Sequence, residues 1–519
     1  MNPRAKKILL VILAAGLLIL SGQVQKSMNL DRDRLGLNHV AALESAPPML
    51  AFTTVALGGF RGLISNLLWI RANDLQQDDK FFEAMQLADW ITELEPHFDQ
   101  VWVFQGWNMA YNISVKFKDF PDRWRWVSRG ITLLRDQGLR YNPDDVLIYR
   151  ELSWFFEHKM GANLDDANMY YKTQWADAMK PYFGVNGTNF DDLINPRTPQ
   201  AVKLLHQFTN EFKMDPVYVK KVDEKYGPLD WRTPEAHAIY WAALGLDAAT
   251  AHPNLAKPDD VMPLRRSIYQ SIFQSFKHGR LLTNPYTDGY SMGPNLELIP
   301  RVNQAYESNM VAQADMRDNI ATAHRNFLRD AVYFLYQNNR TADAAKWFKY
   351  LGDLYPNKFI IENDPTSFPR NVTLDEFAIA TTEIDINETS QERVTSAIQG
   401  LLYHAYVQLA LGNEDRYEGY KLLATKVYER YVKKAYGSGG DKRLPLPPMA
   451  ALNKYVLDQL LDPQNGTPAA ARAMLRTDLG LGAETNAPPA VSATNAPSAI
   501  STNTPNTAVT NPPAIRPVE

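Results

Sequence analysis

Nine histidines are spread along the chain with no HExxH or other paired metal-ligand spacing, and cysteine is absent. Thiolate metal sites, disulfides and cysteine nucleophiles are therefore excluded, and no histidine pair announces a zinc site. The adjacent Glu157-His158 is the best placed acid–imidazole combination; the other histidines read as surface or packing residues. Three acid pairs, Asp165-Asp166, Asp191-Asp192 and Asp259-Asp260, sit beside turn formers, where such pairs serve as helix caps or solvated loops. Asp191-Asp192 lies among aromatic residues and is the pair suited to hold a cation or to act as acid/base in a glycan cleft. The glycine-rich GSGGDK at 437–442 has no preceding strand and no GK[ST] ending, so it reads as a loop and not a phosphate cradle. No catalytic, metal or cofactor residues emerge, and the expectation is a protein that is not an enzyme.

The elements that must position any site are helices. From Arg61 to Ser114, apolar and small residues recur every three or four positions, first through Leu63, Leu67, Leu68, Ala72 and Leu75, then through Phe82, Met85, Ala88, Ile91 and Leu94. This spacing predicts two amphipathic helices. Pro96 closes the second, and the chain restarts with Val101, Trp102, Gly106 and Ala110. This stretch resembles a tetratricopeptide repeat, whose 34-residue unit closes on a proline at position 32, with a bulky position 4 and a small position 8 in the first helix. Trp102 and Gly106 fall on those two positions. The next such proline, Pro143, lies 47 residues after Pro96, and an insertion at Lys116–Val127 is expected to absorb the excess. Tyr149, Leu152, Ser153 and Phe156 resume the pattern, and Ala344, Phe348, Leu351 and Pro356 supply a later second helix. The resemblance covers roughly a third of the chain.

In that family, ligand peptides lie on the concave face formed by the first helices, read at positions 2, 5, 9, 12 and 13. The resemblance implies that Gln100, Val103, Trp107, Ala110 and Tyr111 face inward from one unit, and Leu147, Arg150, Trp154, Glu157 and His158 from the next. Trp107 and Trp154 share one repeat position. Large aromatics in a groove make binding hot spots, and Arg150 is suited to pair with a carboxylate. The candidate partner-binding set is Gln100, Val103, Trp107, Tyr111, Arg150, Trp154, Glu157 and His158. The competing expectation is that inserted segments cover this face and both tryptophans are core.

With 54 basic and 58 acidic residues well mixed and a formal net charge of -4, there is no electrostatic footprint for nucleic acid. Three positive charges in MNPRAKK precede an apolar run from Ile8 to Leu20. The run reads as an uncleaved signal anchor, stretched to about Val24 by tilting, because no good small-x-small cleavage site follows. The positive-inside rule then puts the bulk of the chain outside the cytoplasmic membrane. A second apolar stretch, Met49–Ile70, contains Arg61 and the Gly58-Gly59 pair and is read as a buried or membrane-hugging helix instead of a second span.

The expected organisation is an anchor over 1–24, a linker over 25–48 and a tetratricopeptide-like block over 49–160. A helical region with aromatic loop insertions follows over 161–300, then a C-terminal tetratricopeptide-like block over 301–436, loops and short helices over 437–483, and a disordered tail over 484–519. The fold class expected is all-α, a solenoid of antiparallel helix pairs with long loop insertions. The function expected is a single-pass, membrane-anchored scaffold that binds a protein or peptide partner in a cell-envelope complex. The rival is a glycan-active or glycan-binding helical toroid, suggested by 11 Trp and 25 Tyr and by aromatic loops at 161–199 and 282–300.

Overall fold

A computed structural model describes residues 60–482 apart from 185–186, 254–255, 257, 284–289, 313, 363, 387–390 and 437–445, together with scattered residues between 16 and 31. Most of the expected anchor, the linker from residue 32, the apolar stretch to residue 59 and the tail lie outside the described residues. Among the described residues, no helix is long and apolar enough to cross a membrane.

Helix α1 (Phe60–Gln77) turns through Asp78–Lys80 into α2 (Phe81–Leu94) and packs along it. Part of the periodic set is buried as its spacing requires, Ala72, Ala88 and Ile91 fully so with Ala84 beside them, whereas Leu63, Leu67 and Phe82 stand more than half exposed. Helix α3 (Asp99–Trp107) runs on without a break into a π-helical turn, Asn108–Ile113. Helix α4 (Phe120–Thr132) does the same through Leu133–Gly138, and α5 (Val146–Trp154) through Phe155–Gly161. Asp145 caps α5, its side chain accepting from the Ile148 amide at 2.9 Å. Gly106 and Gly130 let α3 and α4 cross closely, since a Cβ on Gly130 would stand 2.8 Å from the Gly106 carbonyl oxygen.

The excess over one repeat is therefore not an inserted loop. Pro121, in the first turn of α4, starts a helix that uses most of the expected insertion, and Val127, Ile131 and Leu134 bury its inner face.

Beyond α5 the expected loop-rich stretch contains a full helix, α6 (Asn168–Phe183), before a short turn of helix, α7 (Asp191–Ile194). Its aromatics decide this, because Tyr171, Trp175, Tyr182 and Phe183 all reach the core. Helices α8 (Pro199–Glu211), α9 (Pro216–Tyr226), α10 (Pro234–Ala251) and α11 (Pro258–His278) follow. Three of these four begin directly after an Asp or Thr, with proline in the first turn. Helix α10 is buried nearly all round and packs against both α5 and α11. Gly245 makes that contact close, as a Cβ there would meet Leu264 Cδ1 at 2.8 Å.

A two-stranded antiparallel hairpin, β1 (Arg280–Thr283) and β2 (Tyr290–Gly293), pairs Arg280 with Gly293 and Thr283 with Tyr290. It departs from the expectation of turns alone here. Asp230 secures it, accepting from the Leu281 amide at 3.0 Å while pairing with Arg232 at 2.6 Å, all within the interior. Helices α12 (Ile299–Ala312) and α13 (Arg317–Gln337) occupy what reads as one long helix, separated by a 3-10 turn at Ala314–Met316. Then come the pair-forming α14 (Thr341–Leu354), α15 (Leu374–Ile386), the antiparallel α16 (Gln391–Ala410) and α17 (Glu414–Tyr436), α18 (Met449–Leu461) and α19 (Ala469–Asp478). Gly412, at φ 76°, makes the tight turn between α16 and α17.

The protein is thus all-α with many packed helix pairs. One hydrophobic cluster runs from Trp102 to Leu423, a second joins Ile379 to Leu475, and a small one holds Ala88, Ile91 and Val101.

Candidate functional site

The π turns that end α3 and α5 carry the residues that matter most. A π turn widens the helix by one residue per turn and breaks the regular ladder, a feature that recurs at functional sites. In α3, Trp107 stacks on Tyr111 with ring centroids 4.6 Å apart. In α5, Trp154 stacks on His158 at 4.4 Å. The two stacks join where the Tyr111 hydroxyl lies 3.2 Å from His158 Nδ1. Burial pushes the Tyr111 pKa up, so the phenol keeps its proton, and burial also pulls the His158 pKa down, which favours a neutral imidazole in this contact. Four rings, Trp107, Tyr111, His158 and Trp154, therefore form one strip across α3 and α5. Trp107 is 38% exposed and Trp154 37% exposed, so neither is a core residue.

The remaining residues of the expected groove behave differently. Arg150 donates to Asp260 of α11 at 2.6 Å and to Glu151 at 3.0 Å, so the carboxylate it pairs with belongs to this chain. Gln100 is exposed at the start of α3, Val103 packs half-buried against the core, and Ala110 is fully buried. Helices α10 and α11 pack along α5 and its π turn, and Trp154 and His158 are left at the edge of an open cleft.

An open cleft of about 820 Å³ continues from the aromatic strip. Trp154, Glu157 and His158 form one wall, Lys172 of α6 and the 161–164 loop a second, and Gln270, Phe273 and Gln274 of α11 the facing side. The loop is held down by Asp165, which pairs with Lys159 at 2.6 Å and Arg123 at 3.1 Å. Burial works against the Asp165 charge, but Lys159 and the Ala167 amide outweigh it and hold its carboxyl below the usual range.

Glu157 is 5% exposed, and its Oε2 has no hydrogen-bond partner. Desolvation pushes its pKa up to about 7, against a hydrogen bond with the Ser267 hydroxyl that favours the charge. Lys172 of the same cleft is buried, donating to Asn163 at 2.8 Å and Asn168 at 3.1 Å, and burial draws its pKa down against the nearby Glu235. His278 is pulled down by burial and by Lys172 and Lys277.

Asp191-Asp192 opens the short α7 on the surface, away from this cleft, and among the described residues no group of three or more His, Asp or Glu could hold a metal. No protein-family model, curated protein sequence or solved structure matches the chain. The facing wall from α11 is absent from the sequence-derived site. Gln270, Phe273, Gln274 and Lys277 recur at helical spacing, which marks a common face, but nothing local says that this face opposes α5.

Proposed function

We propose that this chain is a membrane-anchored, tetratricopeptide-like scaffold of the cell envelope that binds an extended segment of a partner protein. The observation that carries the reading is the exposed strip of Trp107, Tyr111, His158 and Trp154, laid across α3 and α5 and opening into the cleft. Half-exposed tryptophans fixed by stacking offer large contact area at low entropic cost, the composition of a binding hot spot. The π turns supply the reason for the rigidity. A basic-flanked apolar amino terminus supports the membrane attachment. Binding, not catalysis, is the proposed role of the site.

The rival glycan reading draws support from Trp154, Phe273 and the amides of Gln270, Gln274 and Asn163 in one cleft. Among the described residues lining it, Glu157 is the single carboxylate, whereas glycoside hydrolysis uses two facing acids. The partner-protein reading is therefore preferred.

The test is a pull-down from gently solubilised membranes with the intact chain and a Trp107→Ala, Trp154→Ala double variant, with helical content checked by circular dichroism. Loss of a specific partner with the fold intact is expected. Retention of every partner refutes the strip as the binding surface.

A further inference from the structure

Among the described residues lining the cleft, one acid, Glu157, has no cationic partner. The cleft's cations are already engaged: Lys277 Nζ lies 2.9 Å from Asp330, and Lys172 is held by two asparagine carbonyls and faces Glu235 behind the wall. Lys159, next in sequence to His158, turns away to Asp165. Burial lowers the pKa of His158, of His278 beside Lys172 and Lys277, and, deeper in α10, of His237, which favours their neutral rings, and Tyr111 keeps its proton. Glu157 is left as the acidic group at the cleft wall with an unsatisfied oxygen, one turn from the exposed indole of Trp154.

We propose that the partner segment inserts a basic side chain, arginine or lysine, into the corner formed by Trp154 and Glu157, and that this ion pair anchors it in the cleft. The inference rests on the scaffold reading and names the chemistry of its ligand. An indole face attracts a guanidinium or ammonium, and a desolvated carboxylate makes the strongest class of hydrogen bond with it. The seat has a built-in proton linkage. In the empty cleft Glu157 is protonated over much of the range up to pH 7, and the incoming cation requires the ionised form. Between pH 6 and pH 8 the ionised fraction rises from about one tenth to about nine tenths, so affinity should rise roughly tenfold.

The experiment uses the full chain in mild detergent and a fluorescent hexa-arginine peptide, with hexa-citrulline as the neutral isostere, read by anisotropy at pH 6, 7 and 8. The arginine peptide is expected to bind at least tenfold tighter than the citrulline peptide at pH 8, to weaken about tenfold at pH 6, and to lose both properties in Glu157→Gln. Equal binding of the two peptides by the unaltered chain overturns the proposal without any variant. So does unchanged, pH-dependent arginine binding by a folded Glu157→Gln chain. In the pull-down, a partner lost by the double tryptophan variant but kept by Glu157→Gln refutes the basic anchor alone. A partner kept by both refutes the scaffold reading itself.

Discussion

Replacing Glu157 by glutamine should remove a pH-dependent destabilisation from the protein. In the folded chain the carboxyl is desolvated against α10 and α11 and titrates at about 7, from an ordinary value of 4.5. Below pH 4.5 it is protonated in both folded and unfolded states and does not affect their balance. Between 4.5 and 7 the unfolded chain ionises and the folded one does not, so the folded state loses stability as pH rises, and the loss levels off above pH 7. At 1.36 kcal/mol per pH unit, moving a carboxyl from 4.5 to about 7 corresponds to about 3 kcal/mol. Glutamine is neutral throughout and keeps a carbonyl for the Ser267 hydroxyl. The variant should therefore gain on the parent by about 3 kcal/mol between pH 4.5 and pH 8. Urea unfolding at a series of pH values, followed by circular dichroism and tryptophan fluorescence, measures the difference. The comparison cancels the other burial-raised carboxyls, such as Asp145 and Glu235. A stability difference that is flat across this range would mean that Glu157 is solvated and titrates normally, which refutes the reasoning about the cleft wall.

Asp230→Ala should cost about 3–5 kcal/mol, because it strands the buried Arg232 guanidinium; hydrogen exchange should show the Leu281 amide losing protection as its acceptor disappears. Gly419→Ala should destabilise by at least about 1–3 kcal/mol, since its Cβ would collide with the Gln337 carbonyl oxygen where α17 meets the end of α13; a lowered urea midpoint with unchanged slope checks it.

Local sequence was enough for most of the helices. The spacing of Phe82, Met85, Ala88 and Ile91 specifies an amphipathic helix wherever it occurs, and Asp145 before Val146 or Pro121 after Phe120 marks a helix start by its own chemistry. Local sequence misjudged 161–199, where polar and turn-forming residues are interleaved with aromatics. There the aromatics won, because Tyr171 and Trp175 gain more by packing into the core than the turn formers gain in a loop. The hairpin at 280–293 was missed because each strand is four residues long and held by Asp230, some fifty positions earlier.

Equivalent places for Trp107 and Trp154 on α3 and α5 were an expectation of the repeat resemblance, while the 3.6-residue period explains only the stacking within each helix, Trp107 on Tyr111 and Trp154 on His158. Whether that face is open was not legible. Arg150 and Trp154 lie on the same helix, yet Asp260, 110 positions away, occupies the first while the second borders a cleft. Glu157 likewise reads as an ordinary glutamate until α10, α11 and the 161–164 loop remove its water. Periodicity is a property of neighbouring residues; exposure, counter-charge and the ionisation of a carboxyl are set by whatever distant segment packs against them, and only the tertiary structure decides that.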